Sequence, residues 1–120
     1  MLLSVPDLVR KAVAEAVGTG FLVATVIGSG IAAQRLSPGQ TGLQLLENST
    51  ATVGVLVALI LALGAVSGAH LNPVVSLAER LLGRITTVTA ATYAGAQIVG
   101  GCIGAMVANV MFDLHAVNIS

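Results

Sequence analysis

Three places in the chain carry groups that could do chemistry. Glu15 is an acid at the edge of an apolar run, Ser67-Gly68-Ala69-His70-Leu71-Asn72-Pro73 interrupts a second such run with polar groups and helix breakers, and Gln97 lies inside a third. A carboxylate at membrane depth is a candidate proton carrier, or an acceptor for donors that have no water to bond. His70 could sense pH or hold a metal, but one histidine without a second ligand supports neither, and it is read as a loop residue whose carbonyl lines a path. Gln97 is expected to hydrogen-bond between helices. No nucleophile with its base, metal cluster or glycine-rich phosphate loop is present, and the few carboxylates are scattered. Neither an enzyme nor a cofactor is implied. What remains is hydrogen bonding, either to a passing solute or between parts of the protein.

The elements that position these groups follow from the charges. Only ten of 120 residues are charged, 56% are hydrophobic, and the ten fall at Asp7, Arg10, Lys11, Glu15, Arg35, Glu47, Glu79, Arg80, Arg84 and Asp113. A soluble domain carries about 25% charged residues. The uncharged runs 16–34, 48–78 and 85–112 are each long enough for a span, which needs about 20 apolar residues. The expectation is an all-α integral membrane protein of the plasma (inner) membrane, with the lipid bilayer as its first partner. Net charge is zero, so no basic field exists to hold nucleic acid. Cys102 sits in the third run and reads as a small hydrophobe. The N-terminal segment reads as a retained span, because its apolar run is too long for a signal h-region. The sequons at Asn48 and Asn118 are assigned no function.

Small residues recur every four positions at Ala12, Ala16, Gly20, Ala24, Gly28 and Ala32, and again at Thr92, Ala96, Gly100, Gly104 and Ala108. Such ridges let helix backbones approach closely in lipid. Both helices therefore expect a close neighbour, and Gly20, Gly28, Gly100 and Gly104 should set the distance at which another unit docks. Helix one is placed at about 10–34, helix two at about 49–66 and helix three at about 85–112, with Ser37-Pro38-Gly39-Gln40 and Thr41-Gly42 as turn chemistry after the first.

The run 48–78 is too long for one span and too short for two, and its breaker falls two-thirds of the way along. A re-entrant loop and half-helix over 67–83 resolves this. Asn72 is a favoured N-cap, Pro73 a favoured first helical residue, and Gly83 a stop. Ten residues rise about 15 Å, half the hydrocarbon thickness. Non-helical backbone at that depth is tolerated only against protein or a wet cavity, so the loop implies a pathway. The carbonyls of Gly68, Ala69 and His70, with Asn72, Pro73 and Val74 at the half-helix tip, would border it. The positive end of the half-helix dipole disfavours cations there and leaves small neutral hydrogen-bonding solutes. Four basic residues flank one side (Arg10, Lys11, Arg80, Arg84) and Arg35 alone the other, which predicts a cytoplasmic N-terminus and an external C-terminus.

Taken together, Ala14-Glu15-Ala16-Val17-Gly18-Thr19, the loop Ser67-Gly68-Ala69-His70-Leu71-Asn72-Pro73-Val74-Val75-Ser76 and Tyr93-Ala94-Gly95-Ala96-Gln97 resemble the aquaporin or major intrinsic protein family. The resemblance implies water or glycerol passage, two inverted repeats whose Asn-Pro-Ala ends meet at midplane, and a tetramer. It also implies that Glu15 and Gln97 steady the loop. The chain looks like the first repeat alone: three spans and one half-helix over 1–120, without the second Asn-Pro motif or the outer filter arginine. Val74 stands where the family usually has Ala. Thr52 stands where its filter often has an aromatic side chain, which suggests a wider, more polar filter. The expected function is a channel protomer or half-channel completed by a second repeat. Two alternatives stand beside it: a truncated repeat without transport of its own, acting as an interaction subunit or surviving as a remnant, and a small proton-coupled exporter using Glu15, similar to the small multidrug-resistance family.

Overall fold

The computed structural model describes residues 3–118, and among them it is all α: α1 (Val5–Leu36), α2 (Thr41–Ser67), α3 (Pro73–Leu81) and α4 (Thr87–Met111). Three of the four are long and apolar enough to cross a membrane, and α3 has only nine residues. Most of the large apolar side chains face outward, among them Phe21, Leu61, Ile98 and Val107. The buried positions are small or polar: Glu15, Thr19, Ser67, Ser76, Thr89 and Gln97 lie inside, with Ala14, Leu71, Tyr93 and Ala108. This inversion of a soluble core is what lipid as solvent requires, and it marks an integral membrane protein.

Helix boundaries differ from the sequence expectation at two starts. Helix α1 begins at Val5, five residues before position 10, because Ser4 caps it: its Oγ accepts from the Asp7 N–H at 3.4 Å, and Pro6 and Asp7 occupy the first turn. Helix α2 begins at Thr41 rather than near 49. The turn is complete at Ser37–Gln40, where Gly39 takes φ 76°, so Thr41-Gly42 is helix and not turn. The polar residues that suggested a later start are satisfied within the fold. Asn48 Nδ2 donates to Val26 O (2.8 Å) and to Ser29 Oγ (2.9 Å) on α1, and Thr50 and Thr52 donate to the carbonyls of Leu46 and Asn48 in their own helix.

The two ridges of small residues pack on each other. A Cβ at Gly100 would overlap the Ala16 carbonyl, and one at Gly104 the Gly20 carbonyl, so α1 and α4 run with their backbones in contact. Gly20 faces Gly100 O, and Gly28 lies under the Phe112 ring. These four glycines thus set the α1–α4 distance within the chain, and the same four also line an open groove beside that contact. At the far ends Arg35 ties the pair, its Nη2 donating to Phe112 O at 2.7 Å with the guanidinium 5.3 Å from the Phe112 ring centre. An open apolar groove of about 720 Å³, bordered by Val17, Phe21, Val99, Ile103 and Met111, flanks the contact.

Candidate functional site

Helix α2 ends at Ser67 because Gly68 takes the left-handed conformation (φ 90°), its N–H closing the last turn on Gly64 O. The chain then stays irregular through Asn72. Ala69 (φ 48°) and Leu71 (φ 56°) are also left-handed, a region that costs a side-chain-bearing residue roughly 1–2 kcal/mol each. Such a backbone persists only where its surroundings over-determine it.

Glu15 does so. Its carboxylate is fully buried and accepts four hydrogen bonds: Oε1 from Ser67 Oγ (2.6 Å) and the His70 N–H (3.0 Å), Oε2 from the Leu71 N–H (2.7 Å) and Gln97 Nε2 (2.8 Å). Four donors meet the four lone-pair sites of one carboxylate. Ser67 Oγ also accepts from the Ala69 N–H at 3.1 Å, so the N–H groups of residues 69, 70 and 71 are all taken on one side of the loop. Leu71 anchors the same side through its side chain, which is 5% exposed and lies where a Cβ at Gly18 would have to be.

Helix α4 supplies the rest of the frame. Tyr93 donates its hydroxyl to Ser67 O at 2.7 Å, satisfying the carbonyl that α2 leaves free at its end, and its ring meets the His70 ring edge-on at 5.1 Å between centroids. One helical turn on, Gln97 Nε2 bridges Glu15 Oε2 and Ser76 Oγ (3.1 Å). Ser76 Oγ in turn lies 2.9 Å from His70 Nδ1. The N–H groups of Gly68, Ala69, His70 and Leu71 are engaged, whereas the Asn72 N–H and the carbonyls of Gly68, Ala69, His70 and Leu71 take part in no hydrogen bond among the described residues.

Helix α3 starts where its sequence signals say. Asn72 has extended backbone, its Oδ1 accepts from the Val74 N–H at 2.8 Å, and Pro73 is the first helical residue. Gly83 (φ 74°) ends it, after nine helical residues of about 14 Å rise. Asn72, Pro73 and Val74 are exposed, Val74 by 70%, so the chain itself covers nothing at the half-helix tip. Beyond it, Arg84 pairs with Glu79 (2.8 Å) and Arg80 Nε donates to Thr87 Oγ1 (2.7 Å), an exposed polar rim.

Glu15, Gln97, Gly68, Ala69 and His70 are thus gathered around one loop, with Asn72, Pro73 and Val74 at its outlet. Thr52 is not part of this cluster: it is fifteen residues before Ser67 on the same helix, about 22 Å along the axis, and its hydroxyl proton goes to Asn48 O. Two side chains of the frame are not singled out by residue type in the sequence. Ser76 and Tyr93 were visible only as letters of motifs, although a serine four residues after the N-cap of a nine-residue helix is a signal that one face of that helix meets something polar.

A family model for the Major intrinsic protein matches residues 2–118. Aquaglyceroporin AqpS of Rhizobium meliloti (strain 1021) is 48% identical over 114 residues, 95% of this chain and 48% of that protein. Human Aquaporin-9 is 39% identical over 100 residues (82% of this chain, 33% of that protein), and Aquaporin-10 of Milnesium tardigradum is 38% identical over 109 (89% and 26%). The chain spans about half the length, or less, of these curated relatives.

Proposed function

Because the chain belongs to the major intrinsic protein family, whose relatives here are named aquaporins and an aquaglyceroporin, we propose that it supplies one half of the wall of a channel for water or small neutral solutes such as glycerol. The observation that carries this reading is the polarity of the loop from Gly68 to Asn72. The amides of Ala69, His70 and Leu71 are turned into the protein by Glu15 and Ser67, and the carbonyls of the same three peptides, with that of Leu71, are left to bond something else. A row of carbonyls replaces the hydration of a passing solute, and the α3 N-terminus at Asn72 adds a donor-rich, positive end that opposes cations. Buried carbonyls facing lipid would cost several kcal/mol each, so the row needs a wet path beside it.

The exposed tip at Asn72, Pro73 and Val74 needs an opposing wall, and a second repeat in inverted orientation, with its own half-helix, supplies it. The family resemblance adds a tetramer of such units. Four basic residues on one side against Arg35 on the other support a cytoplasmic N-terminus and an external C-terminus. A C-terminal reporter checks that orientation, and equal labelling on both sides would replace it with dual insertion.

Stopped-flow light scattering on proteoliposomes tests the channel. The purified chain alone is expected to give little water or glycerol flux, and addition of a chain carrying the second repeat to restore it. Rapid, blocker-sensitive flux from the chain alone would show that copies of it close the path. No flux in either case would favour the non-transporting reading. The exporter reading finds no support in the geometry, since a proton carrier needs access to solvent and Glu15 has none.

A further inference from the structure

The hydrogen bonds that leave Glu15 do not stop at Gln97, and following their protons fixes the state of a ring that bears no other label. Glu15 Oε2 already accepts from the Leu71 N–H, so an unprotonated carboxylate requires a donor from Gln97 and orients that amide with Nε2 toward the acid. The second Nε2 proton points to Ser76 Oγ at 3.1 Å. Ser76 is 1% exposed, and its hydroxyl, having accepted from Gln97, has one proton to place. The partner within reach is His70 Nδ1 at 2.9 Å. Nδ1 is therefore an acceptor, and the ring proton sits on Nε2. That nitrogen lies on the Gly68 side, where a Cβ added at Gly68 would be 3.4 Å away, and it has no hydrogen-bond partner among the described residues.

We propose that Ser76 is a positioning residue that holds His70 as the Nε2–H tautomer, so that the ring turns its one donor away from the Glu15 cluster and toward the Gly68 side of the loop. The value of that donor for a passing solute rests on the channel reading above, whereas the tautomer itself does not. The order of protons is directional: Gln97 donates to Glu15 and Ser76, and Ser76 donates to His70. Reversal requires a proton on Glu15. A protonated acid would donate to Gln97 Oε1, which now has no partner, the amide would turn, Ser76 would donate to Gln97, and His70 would have to donate from Nδ1. The tautomer of His70 thus reports the proton on an acid eighty-two residues from its amide partner in sequence.

The test is nitrogen NMR of the full chain in phospholipid bilayers, labelled with 15N-histidine, with His115→Asn to leave one imidazole, and with that ring neutral. The wild-type ring is expected to show an attached proton on Nε2 and none on Nδ1. A protonated Nδ1 would overturn the proposal and would revive a proton-carrying Glu15. In Ser76→Ala the Nδ1 signal should move to that of an acceptor without a donor and the second tautomer should become detectable, with Ser76→Thr restoring the wild-type spectrum. An unchanged Nδ1 signal in Ser76→Ala would show that Ser76 does not hold the ring. If Ser76→Ala does not fold, the wild-type spectrum still decides the tautomer. Absence of solute flux leaves all of these readings intact, so the failure of the channel proposal and of this one are separable.

Discussion

Replacing Glu15 by Gln preserves volume and changes one acceptor into a donor, which makes its cost calculable from four distances. An NH2 in the Oε2 place would face the Leu71 N–H, which cannot accept, and the Gln97 amide, which can turn to present its unpartnered Oε1. In the Oε1 place it faces the His70 N–H and the Ser67 hydroxyl, and the hydroxyl can turn to accept. Either arrangement leaves one backbone N–H, that of Leu71 or that of His70, without an acceptor. One orphaned donor costs about 1–3 kcal/mol, and each surviving bond falls from the charged to the neutral range, a loss of about 1 kcal/mol apiece. The expected destabilisation is about 4–6 kcal/mol, against a total stability of roughly 5–15 kcal/mol for a folded domain. Glu15→Ala orphans all four donors and opens a cavity, so it should be worse. Denaturant and thermal melts in detergent give the measurement. A Gln variant within about 1 kcal/mol of wild type, or an Ala variant milder than the Gln variant, would refute the claim that this carboxylate holds the loop. An unchanged melt accompanied by abolished proton-coupled uptake would instead support the exporter.

The α1–α4 contact gives a second prediction: Gly100→Ala and Gly104→Ala, whose new Cβ atoms overlap the Ala16 and Gly20 carbonyls, should each destabilise by about 1–3 kcal/mol in the same melts, whereas Gly95→Ala, with nothing within 4 Å, should not. Tyr93→Phe removes the donor to Ser67 O and should cost about 1–3 kcal/mol by leaving that buried carbonyl unpaired, with the His70 ring contact retained. Asn72→Leu removes the α3 cap, a loss of about 1 kcal/mol, while any flux measured with a completing second repeat should be lost outright. Flux that survives this change would place the path away from the half-helix end.

The sequence makes some of this architecture legible and hides the rest for identifiable physical reasons. Charge spacing shows where spans can lie, and Asn72-Pro73 with Gly83 shows the half-helix, because capping is a local property readable over three or four residues. Ser4, Pro6 and Asp7 carry the same kind of signal for the start of α1, but the search for an apolar run passes over them. The true start of α2 is not local. Asn48 looks like a boundary residue until α1 is in place to receive its amide, and only tertiary contact tells a polar residue at a helix end from one inside a bundle. The periodicity of glycine and alanine reveals two packing faces without saying that each is the other's partner. Glu15 and Gln97 announce themselves as misfits in apolar surroundings, whereas Ser76 and Tyr93 do not, since either residue type is unremarkable at its position until the hydrogen bonds are drawn.

What the loop is for follows from where its strain is held. Ala69 and Leu71 occupy a backbone region that neither would choose, and the irregular segment is shaped by donors all drawn to one atom group on α1. Turning successive amides to one side of a chain turns the carbonyls of the same peptides to the other, because each peptide unit is planar and its N–H and C=O point oppositely. Glu15 therefore does two things with one set of bonds. It stabilises left-handed residues that would otherwise relax, and together with Ser67 it aligns the carbonyls of Gly68, Ala69 and His70 as a row of acceptors. A proton carrier at this position would have to surrender those bonds in each cycle, and the row with them. A fixed carboxylate keeps the row in place, which suits passive passage of solutes that exchange one set of hydrogen bonds for another.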